Sequence, residues 1–500
     1  MAGGKSMKIL LLEHPRKITS ENINDIANAP LSSSLFTGYV ASVLGEDNDV
    51  HIVEGYLDKL NEEQIVDCIK NFAPDVIGVH LIYQWKNHED LYKMLEKTKS
   101  EYLTKYIFCY GYYSNFAYKE VFESCKAVDG IVLGEPEKPF VNVINSLKKH
   151  STYDNVKGLA IVDDGKIKLN YDTPIEKLDE LPFPTRSKGS LSYGEVNIMG
   201  SRGCYGGCTF CYINPFIGEK VKWRGRSPEN IMLEIDQIIQ ETGMKYFYFT
   251  DPNFYGPGQS GQDRVLQLAA LLRSRNITFG IEARVNDIHD DTIKALVEAG
   301  LQHILIGLES GREESLQRLN KMTTVKQNEN ALKVLRKNGI NPSIGFIMFE
   351  PDSSVKDLRV NFDFLMRNNL LTQLDTTVNV LYHHQIILQG TKCYKELKDT
   401  GRLKLSPYST YEGSADYEYP QITMFAEIMR EITNCIFSYT KILWENNRYQ
   451  DPVVKGNCQK VNTLLINTFE QVLISLEEGK EVDKEKIIRE NQLDIAKLLG

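Results

Sequence analysis

Cysteine is scarce in this chain, at nine of 500 residues, and tryptophan scarcer still, at three. That density excludes a disulfide-stapled secreted scaffold. No segment reaches the roughly 18 consecutive apolar residues of a membrane span. The opening MKILLL lacks a signal-length apolar region followed by a small-residue cleavage site. Positive charge is not in excess: 58 Lys and Arg stand against 67 Asp and Glu, a formal charge of −9. The chain therefore offers no general attraction to nucleic acid, and the short basic stretch KVKWRGR reads as a local contact. There is no internal repeat, low-complexity tract or heptad stripe, so oligomeric state is not legible. What remains is a cytoplasmic globular protein with reduced thiols, 42% hydrophobic and long enough for two or three domains.

Apolar runs alternate with helical patterns along most of the chain. MKILLLE, DVHIVEGY, PDVIGVHLIY, KYIFCYGYY and VDGIVLGEPE read as strands, with SSSLFTGYVASVLG and NEEQIVDCIKNFA as helices between them. This is an α/β pattern, a Rossmann-like parallel sheet over residues 7–150 whose ligands belong at the carboxyl ends of its strands. Residues 151–193 read as a linker, with a hairpin around Asp164-Gly165 and a proline-rich stretch. A second alternation over 194–390 contains EVNIMGS, KYFYFTDPNF, TFGIEARVND, HILIGLESG and PSIGFIMFEP, with LDTTVNVLYHH as one further strand. At least six strand-helix units predict a partial (β/α)6-type barrel with its chemistry at the strand ends. Residues 391–500 read as a helical region packed on that barrel. Cys68, Cys125 and Cys435 sit in apolar helical contexts and read as core thiols.

Three of the nine cysteines fall within eight positions. GSRGCYGGCTFCYINPF places Cys204, Cys208 and Cys211 on one glycine-rich loop directly after a strand. Glycines let a backbone bend closely around a bulky object. Three thiolates hold three irons of a [4Fe–4S] cube and leave the fourth open to an outside ligand. The competing readings are a structural zinc site and a structural cluster. Zinc wants four protein ligands from paired hairpins, whereas the next cysteine is Cys393 and no second pair exists.

Cys204, Cys208 and Cys211 at this spacing, with Phe210 before the last, resemble the signature of the radical S-adenosylmethionine (SAM) superfamily. The resemblance implies a [4Fe–4S] cluster that binds SAM at its open iron. An electron then cleaves SAM to give a 5′-deoxyadenosyl radical that takes hydrogen from a substrate. It implies a flavodoxin or ferredoxin as reductant. By the same resemblance, Asp251, Asn253, Glu282, Arg284, Glu309 and Ser310 stand at SAM-binding strand ends. Arg284 would pair with the methionine carboxylate, Glu309 would accept from the amino group or ribose, and GFIMFEP would lie along the adenine. A charge network at a barrel mouth is the alternative for these residues.

The Rossmann-like domain, the DELPFP linker and the barrel together resemble the subgroup with an N-terminal cobalamin-binding-type domain, from about residue 7 to 390. Many of that subgroup are methyltransferases, others catalyse rearrangements, and some keep the domain without the cobalamin. Cobalamin is left open here. Where the subgroup has a Gly-Gly-x-His-type loop, this chain has Tyr110-Gly111-Tyr112-Tyr113-Ser114, whose rings would fill the nucleotide slot. Gly111, Gly134, Glu135 and Trp85 are the features retained, and Trp85 is equally read as interface packing.

The expected activity is hydrogen abstraction from a small polar metabolite. Carbon methylation follows if cobalamin binds; dehydration, deoxygenation, epimerisation or rearrangement of a sugar-like molecule follows if it does not. Glu350, Tyr382, His383 and His384 lie near predicted strand ends and are the candidates for proton handling. A non-catalytic corrinoid or redox sensor is the reading from a different class.

Overall fold

The structure is a computed structural model and describes residues 6–15, 34–83, 88–150, 152–192, 194–218, 222–406, 409–446 and 448–500. Strand β1 (Lys8–Glu13) shows why the first strands are uninterrupted apolar runs. Leu10 and Leu12 enter one core while Ile9 and Leu11 enter another on the opposite face, as a sheet covered on both sides demands. β2 (Asp49–Glu54), β3 (Val76–His80), β4 (Tyr106–Tyr110) and β5 (Gly130–Val132) join it in parallel, in the order β2-β1-β3-β4-β5. Crossover helices such as Glu62–Phe72, closed by an Asn61–Gln64 capping box, make the parallel pairing possible.

The hairpin expected around Asp164-Gly165 is present, with φ of +46° and +73° at the two turn residues. It does not lie in a linker. Its strands β6 (Leu159–Asp163) and β7 (Lys166–Asn170) extend the first sheet beyond β5 with antiparallel pairing, making seven strands.

The second sheet is parallel, in the order β14-β13-β12-β11-β8. Its strands are β8 (Val196–Ile198), β11 (Tyr246–Phe249), β12 (Thr278–Arg284), β13 (Leu301–Glu309) and β14 (Ser343–Phe346). Between β8 and β11, the short strands β9 (Ser201–Gly203) and β10 (Trp223–Gly225) form an antiparallel arm. The helix Pro228–Thr242 begins at Ser227 as N-cap and ends at Gly243 in the left-handed conformation, as its sequence signals require. The expected sixth strand is corrected. LDTTVNVL is a helix, Leu374–Tyr382, because Leu374, Thr377, Val378 and Leu381 fall at helical spacing and are all buried. Its β-branched residues had the composition of a strand. The barrel's sixth position is reduced to one parallel bridge, Phe349 to His384.

The last quarter of the chain is not wholly helical. β15 (Ile387–Leu388), β16 (Leu403–Ser406) and β17 (Ser409–Ala415) form a small antiparallel sheet in the order β15-β17-β16. The helices Pro420–Glu445, Pro452–Glu477 and Lys484–Leu499 then share the barrel core, where Phe469 stacks on Phe362 at 5.1 Å and meets Phe425 at 4.6 Å. Cys125 is buried, whereas Cys68 and Cys435 are half-buried at core margins.

The first sheet is tied to the β9–β10 arm by ions. Arg202 and Arg224 face each other across the β9–β10 arm, a repulsive arrangement if left alone. Glu135 and Glu137, from the GEPE segment after β5, neutralise it. Glu137 binds Arg202 at 2.6 Å, and Glu135 binds Arg224 at 2.7 Å and Arg202 at 3.4 Å. All four are buried. Burial pushes the Glu135 pKa up, but Arg202 and Arg224 outweigh it and hold the carboxyl below its usual range. Removing one member of such a group strands its partner, at a cost of about 3–5 kcal/mol. Arg202→Met is therefore expected to lower the denaturation midpoint of the folded chain markedly; a midpoint equal to wild type would show that the network contributes nothing.

Candidate functional site

The cysteine loop begins one residue after this ionic clamp. Gly203 has φ +82°, and a Cβ there would stand 1.7 Å from the carbonyl oxygen of Lys222, so only glycine can precede Cys204. Backbone and side chains from distant parts of the chain then fix the loop. The Asn214 side chain accepts from the Cys204 amide at 3.3 Å and donates to the Gly206 carbonyl at 2.7 Å. Asn320 donates to the Gly207 carbonyl at 2.7 Å. The Thr209 amide donates to the Leu319 carbonyl at 3.0 Å, and the Cys393 amide to the Thr209 carbonyl at 3.0 Å. Phe210 packs against Ile387, Cys393, Tyr394 and Leu397.

Cys204, Cys208 and Cys211 line one cavity of about 700 Å³ between the two sheets. Burial, then the neighbouring Cys208, pushes the Cys211 thiol up to about 12; burial also raises Cys204. These groups must shed protons to become ligands, so metal loading releases protons. Among the described residues no three His, Cys, Asp or Glu side chains converge as a single ion requires. The thiols bound a space rather than a point, and three sulfurs without a fourth protein ligand suit a cubane cluster with one open iron.

The expected SAM-contacting residues divide into two groups. Glu282, Arg284 and Glu309 line the cavity with the cysteines. Arg284 turns toward the thiols: its Nη1 stands 3.6 Å from Cys208 Sγ, its Nη2 donates to the Lys321 carbonyl, and its Nε to Asn286 at 3.3 Å. Glu282 Oε1 accepts from the Tyr248 hydroxyl at 3.3 Å. Glu309 has φ +63°, a left-handed conformation costly for a residue with a Cβ, at the end of its strand. Its Oε1 accepts from the buried Lys321 Nζ at 2.6 Å. A Cβ on Gly307 would come within 2.4 Å of that carboxylate and 2.6 Å of the ammonium, so the glycine of LIGLESG makes room for the pair.

Asp251, Asn253 and Ser310 are not among the residues that line the cavity, and their side chains bond within the barrel wall. Asp251 accepts from the Gly200 amide at 3.2 Å. Asn253 donates to Asp287 at 2.8 Å and accepts from the Gly256 amide at 2.7 Å. Ser310 donates to Asn361 at 2.8 Å. Strand-end positions alternate between lumen and wall, and the sequence does not say which bond each side chain finds.

Of the proton-handling candidates, only His383 lines the cavity. Glu350 is held by Arg318 at 3.1 Å. Tyr382 packs on the barrel core. Burial, aided by Arg430 and His383, pushes His384 down to about 3 and keeps it neutral. Gly111 and Gly134 are backbone turn positions with φ of +109° and +71°, whereas Tyr112 supplies a cavity wall. Trp85 lies outside the described residues. Sequence reading missed Lys321. Its signal was present in QRLNKMTT, where Asn320 and Met322 both take positive φ around it, but a lysine in a loop is ordinarily a solvated one.

A family model described as the radical SAM superfamily matches residues 198–365. The chain is 26% identical over 369 residues to an uncharacterized methyltransferase of Pyrococcus horikoshii, covering 72% of this chain and 78% of that one. It is 29% identical over 422 residues to the 4′-phospho-dehydrooxetanocin synthase of Priestia megaterium, covering 77% of this chain and 55% of that longer one. Its fold superposes on OxsB, a cobalamin-dependent SAM radical enzyme solved with aqua-cobalamin and SAM, with a TM-score of 0.81 at 20% identity. The alignment covers 99% of this chain and 80% of OxsB.

Two outcomes test the local chemistry. Lys321→Met strands the buried Glu309 carboxylate and is expected to cost about 3–5 kcal/mol of stability, with Lys321→Arg retaining much of it. Burial raises Asp251 from 3.8 to about 6, so the folded state binds its proton more tightly than the unfolded chain. Its contribution to stability therefore falls as pH rises from about 4 to 6, by ~3 kcal/mol. Asp251→Asn is expected to raise the denaturation midpoint above pH 6 and give no gain at pH 4.

Proposed function

The chain belongs to the radical SAM superfamily, and on that premise we propose that it uses SAM at a [4Fe–4S] cluster to abstract hydrogen from a small polar metabolite. The observation that carries this reading is that three thiols from one loop line a single cavity with Arg284 and the Lys321–Glu309 pair. When bound, the cluster supplies the electron that breaks a carbon–sulfur bond of SAM, giving methionine and a 5′-deoxyadenosyl radical.

The protein's part is to hold, orient and exclude. Cys204, Cys208 and Cys211 would hold three irons. The Arg284 guanidinium, close to Cys208, offsets thiolate charge in a buried place where charge is costly. Glu309, fixed by Lys321, presents its second carboxylate oxygen as an acceptor for an ammonium or hydroxyl. Gly345, Phe346 and Ile347 bring bare backbone and apolar surface to the same cavity, suited to a flat heterocycle. Phe210 and the segment Ile387–Leu397 close the outer side of the loop against water. Tyr248, Glu282 and His383 are among the polar groups that line the cavity and would face a substrate. A flavodoxin- or ferredoxin-type donor supplies the electron.

Carbon methylation by way of methylcobalamin would require the corrinoid. Dehydration, deoxygenation, epimerisation and rearrangement require only the radical. A sensor would bind the cluster and leave SAM intact.

Anaerobic reconstitution with iron and sulfide is expected to give cluster absorbance. Under dithionite, added SAM is expected to yield 5′-deoxyadenosine and methionine, and Cys208→Ala to lose both signals. A stable cluster that never cleaves SAM would overturn the enzymatic reading in favour of the sensor.

A further inference from the structure

In a doubly wound sheet, ligands enter the crevice beyond the carboxyl ends of the strands where the strand order reverses. In the first sheet that place lies between β1 and β3, because β2 follows β1 on one side and β3 lies on the other. Among the described residues, side chains bond across it. Glu13, at the end of β1, accepts from His80 Nδ1, at the end of β3, at 2.9 Å. Thr37 donates to the same carboxylate, and its hydroxyl lies 2.6 Å from that of Tyr110. The Tyr110 ring stacks on His80 with centroids 4.8 Å apart. All four residues are buried.

The neighbouring gap is stapled by backbone. The Leu81 amide donates to the Tyr110 carbonyl at 2.7 Å, and the Tyr113 amide to the Leu81 carbonyl at 3.0 Å. Gly111 does not open a slot here: a Cβ on it would stand 2.6 Å from the Leu81 carbonyl oxygen. The Tyr113 ring is fully buried and packs 5.1 Å from both His88 and Tyr411.

Beside the cavity, the domain boundary is packed ring on ring. Tyr112 of the first domain meets Phe216 at 4.5 Å and Tyr212 at 4.7 Å in edge-on contacts, and Phe36 lies 5.9 Å from Phe216. These contacts stand where a flat macrocycle would have to separate the two faces. A Cβ on Gly134 would come within 3.3 Å of the Phe216 carbonyl oxygen. The remaining cavity of about 700 Å³ already serves the cluster loop and the Glu309 pair, and a corrinoid with its nucleotide tail is several times the size of SAM.

We infer that the N-terminal sheet of this chain is a protein-filled wall of the reaction chamber and holds no corrinoid. The described residues do not fit cobalamin, although the fold matches a protein that binds it. Phe36, His80, Ile82 and Tyr112 instead give the chamber its far side. This rests on the radical reading only for its consequence: with no corrinoid, methylcobalamin-dependent methylation is not among this chain's reactions.

The full chain, reconstituted anaerobically with iron and sulfide, incubated with excess hydroxocobalamin and desalted, is expected to retain only a trace of corrinoid by absorbance and by mass spectrometry of an extract. Its cooperative melting midpoint is expected not to move with hydroxocobalamin, and 5′-deoxyadenosine is expected to form at the same rate with or without it. Near-stoichiometric retention, or a midpoint raised by the corrinoid, would overturn the inference. Cluster absorbance and SAM cleavage in the same samples report separately on the radical reading, so its failure is distinguishable from this one.

Discussion

Everything in the site depends on a buried ionic clamp. Arg202 lies two residues before Cys204, and its charge is balanced by carboxylates that follow β5 of the first sheet. The β9–β10 arm would set two guanidiniums against each other without Glu135 and Glu137. Such an arrangement is poor value as stabilisation, since hydrophobic residues of similar volume often do as well. Its return is geometric, because charges buried this deeply tolerate one partner and one orientation. The cysteine loop thereby inherits a fixed position relative to a domain that contributes no cysteine to it.

The outer shell of the loop follows the same logic. Its carbonyls and amides are taken by Asn214, Asn320, Leu319 and Cys393. A tight loop of small residues has little side-chain packing of its own, so its shape must come from neighbours. Arg284 and Lys321 then place positive charge beside thiols that would become anionic on binding metal. The left-handed conformations at Glu309, Asn320 and Met322 show where backbone preference yields to that placement.

Much of this was legible in the sequence. Alternating apolar runs gave both sheets, because a parallel strand buried on two faces has a composition no loop shares. Cys204, Cys208 and Cys211 announced themselves by spacing. The helix Leu374–Tyr382 was misread because Val and Thr suit strands, while the burial at positions 374, 377, 378 and 381 that makes it helical belongs to the tertiary fold. Asp251 and Asn253 look identical to Glu282 on paper, and differ only in whether a backbone amide or a cavity lies opposite. Lys321 was hidden for the converse reason: nothing local in a sequence marks a lysine as buried.

The small sheet of β15 to β17 carries a further consequence. Leu388 lines the cavity, Cys393 holds the cluster loop at Thr209, and Thr410 donates to Glu120 of the first domain through its amide and its hydroxyl. Three regions of the chain thus meet only after residue 410 has been made. During synthesis the cysteines leave the ribosome some two hundred residues before their enclosure exists. A cluster that needs this enclosure would therefore load late, and until then the nascent thiols would have no shelter from these later parts of the chain.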